Sequence, residues 1–291
     1  MSWRVIVITG VAKLDLKMGF LVVRKEATTK IQLSEIHTVI ISSTAVSLTT
    51  ALLNEMIRQK IKVIFCDETH NPSGELIACH GSHDSSMKIR MQMDWPQPVK
   101  EAVWTEIVGE KIRKQKELLA KLCFEKQADL LESYVRQMTM GDPTNREGHA
   151  AKVYFDALFG LQFTRSADCA VNSALNYGYS IILSAFNREI TANGYLTQLG
   201  LWHDNRFNPF NFACDLMEPF RPLVDRTVIS MSPEEFGKEE KTELISLLNS
   251  QVKIDNSIQR LSNAIRIYCS SIFKALNEQD ISLIRFYSYE L

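Results

Sequence analysis

Asp215-Leu216-Met217-Glu218-Pro219-Phe220-Arg221-Pro222 sets two carboxylates three residues apart and follows them with two prolines and an arginine. On a helix, positions i and i+3 share a face, so Asp215 and Glu218 can point at one divalent ion or one attacking water. Proline has no N–H to donate four residues back. In a helix, Pro219 would free the carbonyl of Asp215, and Pro222 that of Glu218. A plain core helix gains nothing from such a stretch. The alternative is a proline-containing first turn, where acidic residues are favoured by the helix N-terminus. Spacing alone does not choose between the two.

Two further segments offer partners. Asn145-Arg146-Glu147-Gly148-His149 carries Glu147 in the first turn of a predicted helix, beside a glycine that costs helix stability but lets backbone or ligand approach closely. A capping glutamate paired with Thr144 or Asn145 is the other reading of Glu147. His203 falls in Leu201-Trp202-His203-Asp204-Asn205-Arg206, a polar loop between helices. It is either a surface residue or a neutral imidazole that ligates metal or shuttles a proton near pH 7. Asp204 or Asn205 is placed to fix its tautomer.

Carboxylates with one imidazole suit Mg²⁺ or Mn²⁺ better than structural zinc. Phosphoryl transfer is the chemistry that most often needs this set, because the metal polarises phosphate and neutralises developing charge. Arg146, Arg206 and Arg221 stand beside the three candidate ligands. An arginine fork fits phosphate oxygens, and equally fits protein carboxylates. The basic run that includes Lys111 and Lys114 is either a solvated helix face or a track for a DNA backbone. His80, His83 and Asp84 lie in a Gly/Ser-rich loop that suits a hinge, a phosphate contact or a metal site. No G-x-S-x-G, G-x-x-x-x-G-K-[ST] or H-E-x-x-H pattern occurs.

The elements that must position these residues fall into two textures. Residues 1–80 read as a small β-rich domain, with strands expected at Trp3–Ile8, Gly19–Arg24, Thr28–Leu33, Thr38–Ile41, Ala45–Leu48 and Lys62–Asp67. A helix is expected over Thr50–Lys60, a turn at Asn71–Gly74, and a possible hairpin continuation near Leu76–Cys79. Residues 81–97 read as a linker loop. From 98 to 291 a larger, all-helical domain is expected, with helices over Val99–Met138 (bent or broken once), from Ala150 to Gly160, and over Val171–Ala192, Phe212–Ile229, Glu234–Asn249 and Asn256–Asn277. The fold class is α+β.

Composition bounds the function. At 291 residues, 45% apolar and 23% charged, the chain is an ordinary globular protein nearer two domains than one. Net charge is -1, divided as +3 over residues 1–100, -1 over 101–200 and -3 over 201–291, so any phosphate-binding surface must be local. Six scattered cysteines without C-x-x-C spacing read as reduced thiols. Neither a signal peptide nor an 18-residue apolar span is present, which points to the cytoplasm and away from a membrane.

The motifs closely resemble those of the CRISPR-associated integrase of spacer acquisition, the universal metal-dependent DNA endonuclease of CRISPR adaptation. The subgroup accompanying the type II effector nuclease is the best match. The resemblance runs through Met1–Arg4, Val63–Asp67, Gly81–Ser86, Asp142–Ala151, Asn172–Tyr179 and Phe210–Pro222. It implies Glu147, His203 and Glu218 as ligands of Mg²⁺ or Mn²⁺ in a helical catalytic domain, with Asp215 a further acid of the active-site surroundings. It also implies a homodimer, two of which are bridged by a small adaptation subunit. Other type II adaptation proteins and the effector nuclease are further candidate partners. The implied reaction inserts double-stranded DNA into a repeat array by 3′-hydroxyl transesterification, with lysines and arginines on backbone phosphates. A hydrolytic nuclease of another role and a non-catalytic DNA-binding assembly subunit are the competing classes. The tail Phe286–Leu291 matches no functional motif.

Overall fold

The computed structural model describes residues 4–78 and 82–288. Met1 to Trp3, Cys79, His80, Gly81 and the last three residues, all named above, lie outside the described residues.

The first part is β-rich, as expected. Strands β1 (Arg4–Ile8), β2 (Ala12–Lys17), β3 (Phe20–Arg24), β4 (Thr28–Gln32), β5 (Ile36–Ile41) and β6 (Val46–Leu48) precede helix α1 (Thr50–Arg58), β7 (Lys62–Cys66) and β8 (Pro72–Leu76). They form two four-stranded sheets, ordered β1-β5-β7-β8 and β4-β3-β2-β6. In the first sheet β1, β5 and β7 run parallel, and Val7, Ile40 and Ile64 share a row across it. Side chains alternate between faces of a strand. Val5, Val7, Ile40, Ile64 and Cys66 therefore pack into the core of the helical part. Ile6, Ile8, Val39, Ile41 and Val63 face a smaller core closed by Leu52 and Met56 of α1. Burial on both faces explains the near-continuous apolar runs.

Asn71–Gly74 is not the turn. The chain reverses earlier, where the Asp67 carboxylate accepts hydrogen bonds from the backbone N–H groups of Thr69 and Asn71. Pro72 then opens β8, an edge strand, where a missing N–H is tolerated.

The second part contains α2 (Ser85–Met93), α3 (Gln97–Lys121), α4 (Glu125–Gln137), α5 (Arg146–Phe159), α6 (Ala170–Ala192), α7 (Asn211–Met217), α8 (Arg221–Met231) and α9 (Lys238–Ser246). It closes with β9 (Gln251–Ile254), β10 (Ser257–Arg260) and α10 (Leu261–Glu278). The expected break between Val99 and Met138 falls at Cys123, whose φ of 63° cannot continue a helix. Two expectations change. The stretch read as a linker, 81–97, carries α2. The part read as all-helical contains the β9–β10 hairpin, turned by Asp255 and Asn256, both at positive φ.

Helix α6 runs through the core, and Gly178 sets its distance from α8. A Cβ on Gly178 would stand 2.4 Å from Cγ1 of Val224. Gly178→Ala is expected to destabilise the fold by about 1–3 kcal/mol through overpacking, which calorimetry would register as a lower Tm. An unchanged Tm would show that the two helices can separate freely.

None of the helices in the described residues is long and apolar enough to cross a membrane. Cys66, Cys123, Cys169, Cys214 and Cys269 are all free thiols, as expected of scattered cysteines.

Candidate active site

The N-terminus of α5 is built from Asp142-Pro143-Thr144-Asn145. Asp142 and Asn145 both adopt left-handed backbone angles. The Asp142 carboxylate accepts from the N–H groups of Arg146 (2.8 Å) and Glu147 (2.9 Å). Asn145 accepts from the N–H of Gly148, and a Cβ on Gly148 would come within 2.7 Å of the Asn145 side chain. Gly148 thus makes room for the cap. Asp142 and Asn145 satisfy the helix end, so Glu147 is not the capping glutamate that its position allowed. Its side chain crosses instead to Lys111 on α3.

The acidic stretch breaks where its prolines dictate. Helix α7 ends at Met217, a 3₁₀ turn covers Glu218–Phe220, and α8 begins at Arg221. The turn packs on α3 and is braced from behind by the tail, where the buried Tyr287 donates its hydroxyl to the carbonyl of Pro219 at 2.9 Å. Asp215 and Glu218 do not share a target. Glu218 faces Lys111 and receives Nε of Arg221 at 2.8 Å. Asp215, fully buried, accepts the backbone N–H groups of Leu201 (2.6 Å), Trp202 (3.1 Å) and His203 (3.1 Å), and also the Nδ1 side of the His203 ring. Asp215, rather than Asp204 or Asn205, therefore sets the His203 tautomer, directing Nδ1–H to the carboxylate and leaving Nε2 to a ligand. Two other groups hold this loop. Trp104 of α3 stands edge-on to the imidazole at 5.7 Å and stacks on Trp202 at 5.8 Å. A Cβ on Gly200 would lie 2.4 Å from the carbonyl oxygen of His203.

Lys111 and Lys114 are not on a solvated face. Both are buried, Lys114 against Glu110 and Glu117, and Lys111 between Glu147 and Glu218. Both ammonium groups are taken up by these carboxylates. Arg221 is engaged by Glu218 and stacks over Tyr179 at 4.7 Å. Arg146 lies over Tyr134, and Arg206 is exposed beside Phe207. Asp84 is engaged by Ser82 and Lys88, which weakens the metal reading of its loop.

A cleft of about 220 Å³ opens beside the acids, lined by Lys111, Gln115, Glu147, Phe155, Arg165, Tyr179, Glu218, Arg221 and Asp225. Sequence reasoning missed Gln115, Arg165, Tyr179 and Asp225. Arg165 bonds Asn172 and Asn176, two residues of the Asn172–Tyr179 motif, which was the one available signal.

Electrostatics sort the groups. Burial pushes the Glu218 carboxyl up, but Arg221 and Lys111 outweigh it and hold its pKa at about 2. Burial would lower the Lys111 pKa, and Glu218 and Glu147 instead raise it. Burial raises Asp225 to about 6, despite hydrogen bonds from Tyr179 and Tyr154. The hydrogen bond to Asp215 raises His203 above its ordinary 6.5; burial opposes this, and the charges of Asp215, Glu218 and Glu147 reinforce it. The stabilisation from the His203–Asp215 pair is thus complete below pH 6.5 and is lost as pH rises through the elevated value.

Among the described residues, no three His, Cys, Asp or Glu side chains gather tightly enough to enclose a metal ion. Glu147 and Glu218 nevertheless converge on one cation, the Lys111 ammonium. Oε2 of Glu218 is buried against that ammonium. Two carboxylates facing one cation and an imidazole fixed through Nδ1 make an oxygen-rich donor set. That chemistry fits Mg²⁺ or Mn²⁺.

Comparisons with known proteins agree with this architecture. A sequence model of the family described as CRISPR associated protein Cas1 matches residues 5–253. The chain is 34% identical over 261 residues to the CRISPR-associated endonuclease Cas1 of Neisseria meningitidis serogroup C (strain 8013), covering 88% of this chain and 86% of that one. A casposase bound to integration product has a similar fold, with a TM-score of 0.77 and 16% identity over 96% of this chain and 92% of that one. A chain of a Cas6-RT-Cas1–Cas2 complex matches with a TM-score of 0.74 and 18% identity, covering 97% of this chain but 36% of its own longer length. With the family match spanning most of its length and a relative of this identity, the chain belongs to the CRISPR-associated protein Cas1 family.

Proposed function

We propose that this protein is a metal-dependent DNA endonuclease/integrase of CRISPR adaptation, acting by transesterification. The 3′-hydroxyl of a short duplex attacks a phosphodiester at the edge of a CRISPR repeat. One P–O bond forms, another breaks, and a 3′-hydroxyl leaves. The observation that carries the reading is the convergence of Glu147 and Glu218 on a single cation, beside a histidine oriented by Asp215.

Glu147, Glu218 and Nε2 of His203 would hold Mg²⁺ or Mn²⁺, which when bound supplies Lewis-acid polarisation of the phosphate and neutralises charge on the leaving oxygen. The chain's own residues do the rest. Arg221 and Lys111 keep Glu218 ionised at any physiological pH. Asp215 directs the imidazole. Arg165 in the cleft and exposed Arg206 are suited to backbone phosphates, giving salt-sensitive binding with little base specificity. A protein nucleophile is unnecessary.

The named endonuclease relative supports the nuclease class, and the casposase seen with an integration product supports strand joining over plain hydrolysis. The Cas1–Cas2 complex among the structural neighbours supports a second subunit as partner; homodimers bridged by such a small adaptation subunit in the cytoplasm are part of the proposal. A supercoiled repeat-containing plasmid, incubated with a duplex and Mg²⁺ or Mn²⁺, with and without that subunit, tests the reading. Joined product that requires the duplex 3′-hydroxyl and disappears with EDTA is expected. Cleavage without joining would favour the hydrolytic alternative, and joining in EDTA would remove the metal.

A further inference from the structure

Lys111 projects from the middle of α3, is 7% exposed, and contacts Oε1 of Glu147 and Oε2 of Glu218 at once. One positive charge thus sits between two negative ones, where a divalent ion would match the charge in full. The ammonium is held there by ion pairs to both acids. The same cleft contains another place for it. Oε1 of Gln115 is buried without a hydrogen-bond partner. Gln115 lies one turn along α3 from Lys111 on the same face, and the Asp225 carboxylate lines the cleft with it. A lysine head on a flexible four-carbon stem can change partners without moving the backbone.

We propose that Lys111 is a displaceable internal cation. It neutralises Glu147 and Glu218 in the metal-free protein and withdraws toward Gln115 and Asp225 when a divalent ion binds. The inference rests on the metal reading of the site given above. Metal binding is then an exchange of one cation for another. Without the lysine, buried Glu218 would keep only Arg221 as counter-charge and half-buried Glu147 would lose its ion-pair partner in the metal-free fold. With it, the fold does not depend on metal, and apparent metal affinity is lower than the bare donor set would give. Lys111 is in this sense a positioning residue, acting on the reaction only through the two acids.

Mn²⁺ titration of the purified full-length protein, with free ion read by electron paramagnetic resonance, tests this together with thermal unfolding with and without Mn²⁺. Lys111→Met is expected to bind Mn²⁺ at least about tenfold more tightly than wild type, because no internal cation competes for the acids. It should also melt at a lower temperature without metal, with the gap closing as Mn²⁺ is added. Lys111→Gln, which keeps a polar head, should shift affinity in the same direction and serves if the methionine variant does not fold. Gln115→Leu should weaken Mn²⁺ binding while leaving the metal-free Tm close to wild type; unchanged affinity there would overturn the withdrawal toward Gln115. Lys111 variants with wild-type or weaker Mn²⁺ affinity would overturn the proposal while leaving the metal site intact. If neither wild type nor the Lys111 variants bind Mn²⁺, the metal reading itself fails, and the exchange with it.

Discussion

Glu218→Gln is expected to reduce DNA joining by about a thousandfold, equivalent to roughly 4 kcal/mol of transition-state stabilisation. Glutamine keeps the shape of the side chain but removes the charge that Arg221 and Lys111 both address. The same substitution is expected to cost fold stability. A carboxyl held at about 2 instead of 4.5 contributes about 3 kcal/mol when ionised. Breaking a buried ion pair is expected to cost a similar amount. The sign follows from the lowered pKa: the contribution is fully present above pH 4.5 and is lost as pH falls through about 2. Denaturant unfolding of wild type and variant should therefore differ most at pH 7 and converge in acid. A folded Glu218→Gln protein that still joins DNA at the wild-type rate would sink the assignment of Glu218 as a ligand.

Asp215→Ala should damage the protein differently. It leaves the N–H groups of Leu201, Trp202 and His203 without their acceptor in a buried setting, at a cost of roughly 3 kcal/mol or more. It also frees the imidazole, which is expected to lower joining by about 10- to 100-fold. Asp215→Asn separates the two effects, since its amide oxygen can keep part of the loop while the charge is gone. In nuclear magnetic resonance titrations without metal, His203 of wild type should titrate above 6.5 because Asp215 favours the imidazolium. In Asp215→Asn the midpoint should fall. Identical midpoints in the two proteins would mean that Asp215 does not control the ring.

Local patterns were legible where the physics is local. The breaks at Gly160 and near Gly194, the apolar runs of β1, β5 and β7, and the interruption of the acidic helix by Pro219 and Pro222 follow from backbone freedom, burial on both sheet faces and missing N–H donors. The β9–β10 hairpin was also local, yet Ile258, Leu261 and Ile265 fall at helical spacing and merge β10 with α10 in the sequence. Lys111 and Lys114 misled for another reason. Charges on a helix usually face water, and the exception needs partners such as Glu147, 36 residues away in the chain.

By itself the sequence determined the α+β class, the family resemblance, and the three candidates Glu147, His203 and Glu218, because caps, periodicity and motif order are written in neighbouring residues. Tertiary structure alone decided that Asp215 turns away from Glu218 to hold His203, and that Lys111 stands between the two acids. Those outcomes depend on which buried donors and charges meet across helices distant in the chain. In a low-dielectric interior each carboxylate goes to the partners that compensate its burial, and spacing along one helix does not say where they are.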